Sequence, residues 1–554
     1  MGGERREQNT TEPAATRRWQ AIYIGAILLV SLPYVISFAS QLCSDDFILL
    51  YYYGTRPLWK IWAVFSPHTI WTYHPLQHSY FVIGWHISGI EPWAYRAMSL
   101  AVHLGTALLL MKFGRDLSGS IHLGGWAAIV FAGYWRQWEA IIWAASIATP
   151  ESVLFTILTC VAFLRFLRRR RPAAYAAMMF AIVGWCFSKE TIIQMPLLLA
   201  AIYLYWRCSP LECGGLTPLS NGNDSINSER MFEIEGKKQG GVKPPHSRIV
   251  PDLARLLAAP VAMVAIYLIL YALFVRNVYS FAKLGYERAP VKSWPLNVIT
   301  WLDYALNPLV GNEIVNALRG ARIMNLIAHW HVVSAATLLL VVYFAFLRQR
   351  RLPLFALAMM LVGMIPYAAL PYGYFGSRYY YSVMLGGSLL AAALARELWR
   401  LTTGKRGGRH SWLRITVAAT AGLWVVASFL QLANIALHDR HVTRVPRELY
   451  DFFASQTDKA DRPVLFVVDT RPVKDEVDVE LGWGLLECAR LALRSDKVAA
   501  VELGYDLEPH VLKEFNGYRE RYLVLKTEDG QWTSRLADSI PLAAAPDRPK
   551  GSRP

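Results

Sequence analysis

The chain has 554 residues, of which 54% are apolar and only 18% charged, with 20 Trp and a mean hydropathy of +0.26. A soluble chain of this length would carry about 25% charge and divide into about four domains, so most soluble architectures are excluded. The net charge of +16 sits in short arginine clusters between uncharged blocks. That pattern suits cytoplasmic loops lying against anionic lipid and calls for no nucleic-acid partner. Six Cys at irregular spacing give neither a disulfide framework nor a paired metal site.

Trp19–Phe38 is twenty residues without a charge, preceded by Arg5, Arg6, Arg17 and Arg18. As a helix it is about 30 Å long, enough for one bilayer crossing, and it reads as an uncleaved first span. Further apolar segments follow near 97–111, 121–135, 149–164, 172–188, 191–206, 256–275, 327–347, 352–370, 379–395 and 415–437. Several hold nearer fifteen than twenty uncharged residues, which predicts tilted helices with ends buried in protein. The expected fold class is an all-α polytopic membrane protein of about eleven transmembrane helices, with a small α/β extramembrane domain at the C-terminal end.

Orientation follows from the basic loops. Arg165–Arg171 carries five Arg, Arg348–Arg351 three, and Arg396–Arg414 six Lys or Arg. With the N-terminus inside, all three fall on the cytoplasmic side. The basic tail 1–18 is then cytoplasmic, 19–437 is the membrane core, and 438–540 lies outside, followed by a disordered tail at 541–554. Within the core, 39–96 is a long first outer loop and 276–326 a second outer one. Segment 207–252, rich in Gly, Pro, Ser and Asn, reads as a disordered cytoplasmic insertion. The outer domain is expected to contain strands at Val464–Val468 and Val498–Leu503, a helix near Val479–Leu493, and a hairpin around Asp529-Gly530.

The most informative residues are Asp45 and Asp46, directly after the first span. Carboxylates near a membrane surface are costly unless solvated or paired, so such a pair is a site hypothesis by default, against the plainer reading of a solvated helix end. Adjacent side chains diverge by about 100° on a helix and point oppositely on a strand, so at most one of the two is expected to be the central base, with the other orienting it or binding a cation. His68, His74, His78 and His86 follow. No pair among them shows the helical spacing with an intervening Glu of a zinc hydrolase, and interfacial packing explains them better. Pro75 suits a first helical turn, which would make His74 the cap of a surface helix. Lys189-Glu190 sits in a break between two apolar segments, and Glu139 and Glu151 flank the outer turn Trp138–Pro150. Arg378, beside Tyr379, Tyr380 and Tyr381, opens the tenth span, where a guanidinium can grip a phosphate bidentately or simply snorkel among belt tyrosines. Acids, cations and aromatics thus converge on one side of the core, as sugar transfer from a phosphate-linked lipid requires.

An acidic pair ending the first span, a long outer loop, a many-span core and an outer C-terminal domain together resemble the GT-C superfamily of integral-membrane glycosyltransferases. The likeness covers roughly residues 19–395. It is carried by Arg56-Pro57-Leu58, the run Tyr95–Leu104, Trp143 through Glu151, Ser188-Lys189-Glu190 and Ser377-Arg378-Tyr379, in that order. These strings are similar to the protein O-mannosyltransferase-like and tetratricopeptide-linked transmembrane branches, although the helical repeats of the latter are missing. The resemblance implies a polyprenyl-phosphate-linked sugar as donor, drawn from the membrane lipid, and an acceptor (protein, lipid or glycan) entering from outside. It implies Asp45, with Asp46 second, as general base, and Lys189, Arg378 and Arg56 as donor-phosphate contacts. His74, His78, Glu139, Glu190 and Tyr379 would bind substrate. No cofactor and no metal are expected, with Glu139 the residue that would overturn this in favour of a divalent cation. A bacterial inner membrane is the expected location, with the C-terminal domain periplasmic.

Three other readings compete. A transporter or flippase of lipid-linked sugar predicts two related halves with polar groups at mid-membrane, and no internal symmetry is evident. A lipid-linked glycan ligase would rely on large basic outer loops, which segment 276–326 keeps open. A scaffold that merely displays the C-terminal domain leaves the Asp pair without a role.

Overall fold

The computed structural model describes residues 14–69, 73–208, 249–277, 293–295, 297–299, 302, 331–348, 350–368, 377–403, 411–470, 484–503, 518 and 520–537. Most of the expected insertion at 207–252, most of the loop 276–326 and the tail 541–554 lie outside the described residues.

The chain is predominantly helical. Helix α1 runs Ala14–Ser31 and is ended by Pro33, after which short turns carry the chain to Ala39. Together with the turn Pro33–Ile36 it buries Tyr23, Ile27, Val30 and Tyr34, one stripe at helical spacing, and exposes Ile22, Leu28, Leu29 and Val35 on the other side. The helix starts five residues before the uncharged block, so Arg17 and Arg18 ride on its first turns. After the first loop come α2 (Pro75–Ser88), α3 (Trp93–Ser118), α4 (Ile121–Gly133), α5 (Ala148–Arg169), α6 (Pro172–Ser188) and α7 (Met195–Cys208). Then follow α8 (Ile249–Phe274), α9 (His331–Val342), α10 (Arg351–Met364), α11 (Tyr380–Thr403) and α12 (Ser411–Val442).

Among the described residues five helical stretches are long and apolar enough to cross a membrane: Thr16–Ala39, Trp93–Ser118, Ala144–Arg169, Pro251–Phe274 and Arg414–Ser455. Four shorter apolar helices lie at Ile121–Gly133, Pro172–Ser188, Ser334–Leu347 and Arg351–Tyr367. Helices α8 and α12 turn Ile266, Ile269, Leu270, Leu273, Leu423, Val426 and Leu430 outward, a belt of apolar surface that only lipid solvates well. The chain is therefore an integral membrane protein. One core of buried residues runs through α1 and α3–α12.

Two features of the first loop depart from the sequence reading. Helix α3 begins four residues before the expected segment because Arg96 lies inside it, only 1% exposed, donating to the Gln41 carbonyl at 3.1 Å. Helix α2 does start at Pro75 with His74 in the cap position, but it is no surface helix: Gln77, His78, Tyr80, Phe81 and Val82 are buried, and the His74 side chain caps nothing.

Past α12, helix α13 (Arg444–Ser455) leads into a four-stranded sheet of β1 (Val464–Val468), β2 (Val498–Glu502), β3 (Glu520–Lys526) and β4 (Trp532–Leu536), ordered β2-β1-β3-β4. Strands β2 and β3 pair parallel with β1, and β4 closes antiparallel on β3. The β3–β4 hairpin turns at Asp529-Gly530, where Gly530 takes φ +83°, a conformation glycine adopts without strain. Helix α14 (Leu485–Leu493) links β1 to β2; the first part of the helix expected there, 479–483, lies outside the described residues. All five β1 residues are buried, as a central parallel strand requires. This unit shares its core with the first loop: Phe47, Leu49, Leu50, Tyr53 and Val64 pack in one cluster with Leu449, Phe453, Phe466 and Leu485.

Candidate functional site

The site grows from the break after the first span. Ser44 takes φ +50°, in the left-handed region that costs a non-glycine residue, and a single helical turn, Asp45–Leu49, starts directly after it. The turn sends the two acids different ways. Asp46 is fully buried: one carboxylate oxygen accepts from the Cys43 N–H at 3.1 Å, the other from the Ala145 N–H at 2.7 Å. It therefore staples the first loop to the Trp138–Pro150 turn. Burial pushes its carboxyl up to about 7, against the pull of Arg96 and the two N–H donors. Asp45 is half-buried and, among the described residues, makes no hydrogen bond or close ion pair. Desolvation raises it to about 6, with the nearby Arg378 charge opposing.

Arg378 lies within charge range of Asp45, in the turn Ser377–Tyr379 directly before α11. Its guanidinium holds Glu139 at 2.6 Å, and it lies over the Trp143 ring at 4.8 Å and the Tyr379 ring at 5.1 Å. Glu139 also accepts from Ser377 Oγ at 3.1 Å and the Arg378 N–H at 3.2 Å, while its own N–H donates to Ser377 Oγ at 3.2 Å. The pair is thus fixed at both ends, with side chains only 23% and 16% exposed. Lys189, in the extended residue between α6 and the following turn, donates to Thr149 Oγ1 at 2.7 Å and lies 5.3 Å from the Tyr379 ring centre. Burial and the Arg378 charge bring its ammonium down to about 8.

The substrate-binding candidates divide. His74 Nε2 meets Glu190 Oε2 at 3.0 Å and its Nδ1 lies 3.3 Å from Gln77 Oε1. Tyr271 of α8 reaches the other Glu190 oxygen at 3.4 Å. Burial alone would raise Glu190, but the His74 charge and hydrogen bond outweigh it and hold the acid at about 2. Gln77 in turn donates to the Ala145 carbonyl, so both backbone polar groups of Ala145, the N–H to Asp46 and the C=O to Gln77, are engaged. His78 and Arg56 are engaged elsewhere. His78 stacks on Tyr53 at 3.7 Å, and burial lowers it to about 3. Arg56 donates to the Tyr52 carbonyl at 3.0 Å and the Ala63 carbonyl at 3.4 Å.

Asp45, Glu139, Lys189, Arg378 and Tyr379 therefore form one cluster, with Glu190 and His74 joined to it through Lys189, and Asp46 beneath. Among the described residues no three His, Cys, Asp or Glu gather as metal ligands. Glu139, the acid whose approach to Asp45 would favour a cation, is engaged with Arg378.

Sequence reasoning missed several members. Thr149 lies inside the quoted Trp143–Glu151 run but carries no charge to single it out. Ser377 is the hydroxyl of Ser377-Arg378-Tyr379, and its role needs Glu139 beside it. Glu487, buried on α14, lies within charge range of Asp45, and burial raises it to about 7. A distance of more than 400 residues along the chain hides that approach.

No protein-family model matches the chain, and no curated protein does. Solved structures similar to it include ArnT from Cupriavidus metallidurans bound to undecaprenyl phosphate, 14% identical, covering 96% of this chain and 100% of that one, with a TM-score of 0.40. The same protein in the apo state is 12% identical at equal coverage, with a TM-score of 0.36. The Archaeoglobus fulgidus oligosaccharyltransferase tethered with an acceptor peptide is 14% identical, covering 91% of this chain and 69% of that one, with a TM-score of 0.46.

Proposed function

We propose that this chain is a GT-C-type membrane glycosyltransferase that moves a sugar from a polyprenyl-phosphate donor to an acceptor on the outer face. The observation that carries the reading is Asp45: a half-buried acid that makes no hydrogen bond among the described residues and lies within charge range of Arg378, which in turn lies within charge range of Lys189, at one end of an apolar helical bundle. In this reading Asp45 takes the proton from the acceptor hydroxyl as its oxygen attacks the anomeric carbon. The bond from that carbon to the donor phosphate breaks, and the electron pair leaves on the phosphate. Lys189 and Arg378 neutralise that leaving group, and Tyr379 offers a face for the sugar ring. One displacement inverts the anomeric centre. Glu139 fixes Arg378, and Asp46 fixes the loop that bears Asp45. His74 and Glu190 hold the far wall, and no step passes through a metal.

The orientation proposed is the one the arginine loops give, with the N-terminus in the cytoplasm and this end of the bundle outside. The test is transfer of radiolabelled sugar from purified polyprenyl-phosphate donors by wild type and Asp45→Asn. Label reaching an acceptor with wild type alone supports the assignment; equal transfer by both proteins removes Asp45 from the chemistry.

A further inference from the structure

A second charged recess lies between the end of α12 and the start of α3. It encloses about 320 Å³ and is lined by Phe38, Ala39, Gln41, Glu91, Pro92, Trp93, Arg440 and Arg444. It shares no residue with the Asp45–Arg378 cluster. Its volume falls at the lower end of the roughly 300–1,000 Å³ common for small-ligand sites.

Three observations fix its chemistry. Glu91 is already paired with Arg447 at 2.9 Å, and Arg447 also holds Asp451 at 3.1 Å. The side chains of Arg440 and Arg444, by contrast, make no ion pair or hydrogen bond among the described residues, so the recess presents two uncompensated guanidinium groups. The level in the membrane follows from α12 itself. Its outward face is apolar through Leu423, Val426, Leu430 and Leu437, each more than half exposed, and then changes at once to His438, Arg440 and His441. That change marks where hydrocarbon gives way to headgroups. Trp93, 49% exposed on the recess wall, is the residue type that settles at this depth.

We propose that this recess binds the phosphate of an anionic glycerophospholipid, with Arg440 and Arg444 as its ligands and the acyl chains lying along the apolar face of α12. Guanidinium groups pair with phosphate oxygens in a planar, two-point geometry, and the lipid surface supplies the anion at high local concentration. The site stands whether or not the chain transfers sugars.

The test uses delipidated full-length protein in a neutral detergent, titrated separately with dioleoylphosphatidylglycerol, dioleoylphosphatidylcholine and inorganic phosphate, with bound ligand counted by native mass spectrometry. Phosphatidylglycerol should bind, and phosphatidylcholine about tenfold more weakly or worse. Arg440→Gln with Arg444→Gln should lower phosphatidylglycerol occupancy by about tenfold or more, the loss expected for one or two charge-assisted hydrogen bonds. Glu91→Gln should raise it, because the acid on the wall is removed, and a gain cannot come from misfolding. Equal occupancy in wild type and the double variant overturns the site. Inorganic phosphate binding with no preference for phosphatidylglycerol over phosphatidylcholine assigns the recess to a free anion and overturns the lipid.

Discussion

Helix α11 runs between two charged clusters, about 25 Å apart along its axis from Tyr380 to Glu397. At the far end Glu397, 3% exposed, is surrounded by three arginines: Arg396 and Arg400 at 2.9 Å each and Arg350 at 3.6 Å. Its one negative charge is met three times over. At the near end the arithmetic runs the other way. Among the described residues, Arg378 has a single close acid in Glu139, Lys189 hydrogen-bonds the Thr149 hydroxyl and pairs with no acid at ion-pair distance, and Asp45 has no hydrogen bond or close ion pair. Charges that saturate each other lock helices together. Charges left with unused capacity are available to a ligand, and keeping them so costs stability that a purely structural cluster would not give up.

Each prediction presses on that contrast. The largest effect belongs to Asp45→Asn, which should lower transfer by about 10²- to 10⁴-fold, the usual contribution of a positioned base, while the thermal unfolding midpoint stays put. Arg378→Ala should lower kcat by about 10²- to 10³-fold, comparable to removing one preorganised donor at a developing anion, and the measurement is the steady-state rate at saturating donor. The rate should also follow a bell-shaped pH profile. Asp45 must be ionised, so activity rises as pH passes about 6; Lys189 must be protonated, so activity falls as pH passes about 8. Lys189→Arg should move the alkaline limb upward, because a guanidinium stays protonated throughout. The smallest effects on rate come from the structural acids. Asp46→Asn and Glu397→Gln should each cost about 1–3 kcal/mol of stability by leaving buried groups unmet, read as a lower unfolding midpoint. Glu397→Gln should leave the rate per folded molecule unchanged. A rate loss there equal to that of Asp45→Asn would erase the distinction between the two ends.

Much of the architecture is legible from uncharged blocks and arginine loops, because the cost of placing charge in hydrocarbon writes itself directly into the sequence. Strand Val464–Val468 and the Asp529-Gly530 hairpin are legible for a similar reason, being local patterns of burial and turn chemistry. Arg96 misleads because a charged residue reads as a loop, whereas here it is buried in α3 and bonded to the first loop. The two adjacent aspartates look equivalent in sequence; the Cys43 and Ala145 amides, one of them 99 residues away, separate a stapling acid from one that makes no hydrogen bond among the described residues. Periodicity likewise cannot show that the C-terminal unit shares a core with residues 47–64, since that contact is written in neither segment alone.

The start of α14 carries a consequence for how the protein comes into being. Gly484 sits at φ +86°, and a Cβ placed there would lie 2.1 Å from the Ser44 carbonyl oxygen, so its backbone rests directly on the residue before Asp45. The clasp joins positions 440 residues apart. At roughly 5–20 residues per second, a ribosome needs about 20 to 90 seconds to reach the second after making the first. Through that interval the spans can insert while the loop bearing Asp45 waits without its brace. The brace thus arrives late in synthesis, and a nascent or clipped chain without residues 455 onward would hold its membrane helices while the loop bearing Asp45 stays unclasped.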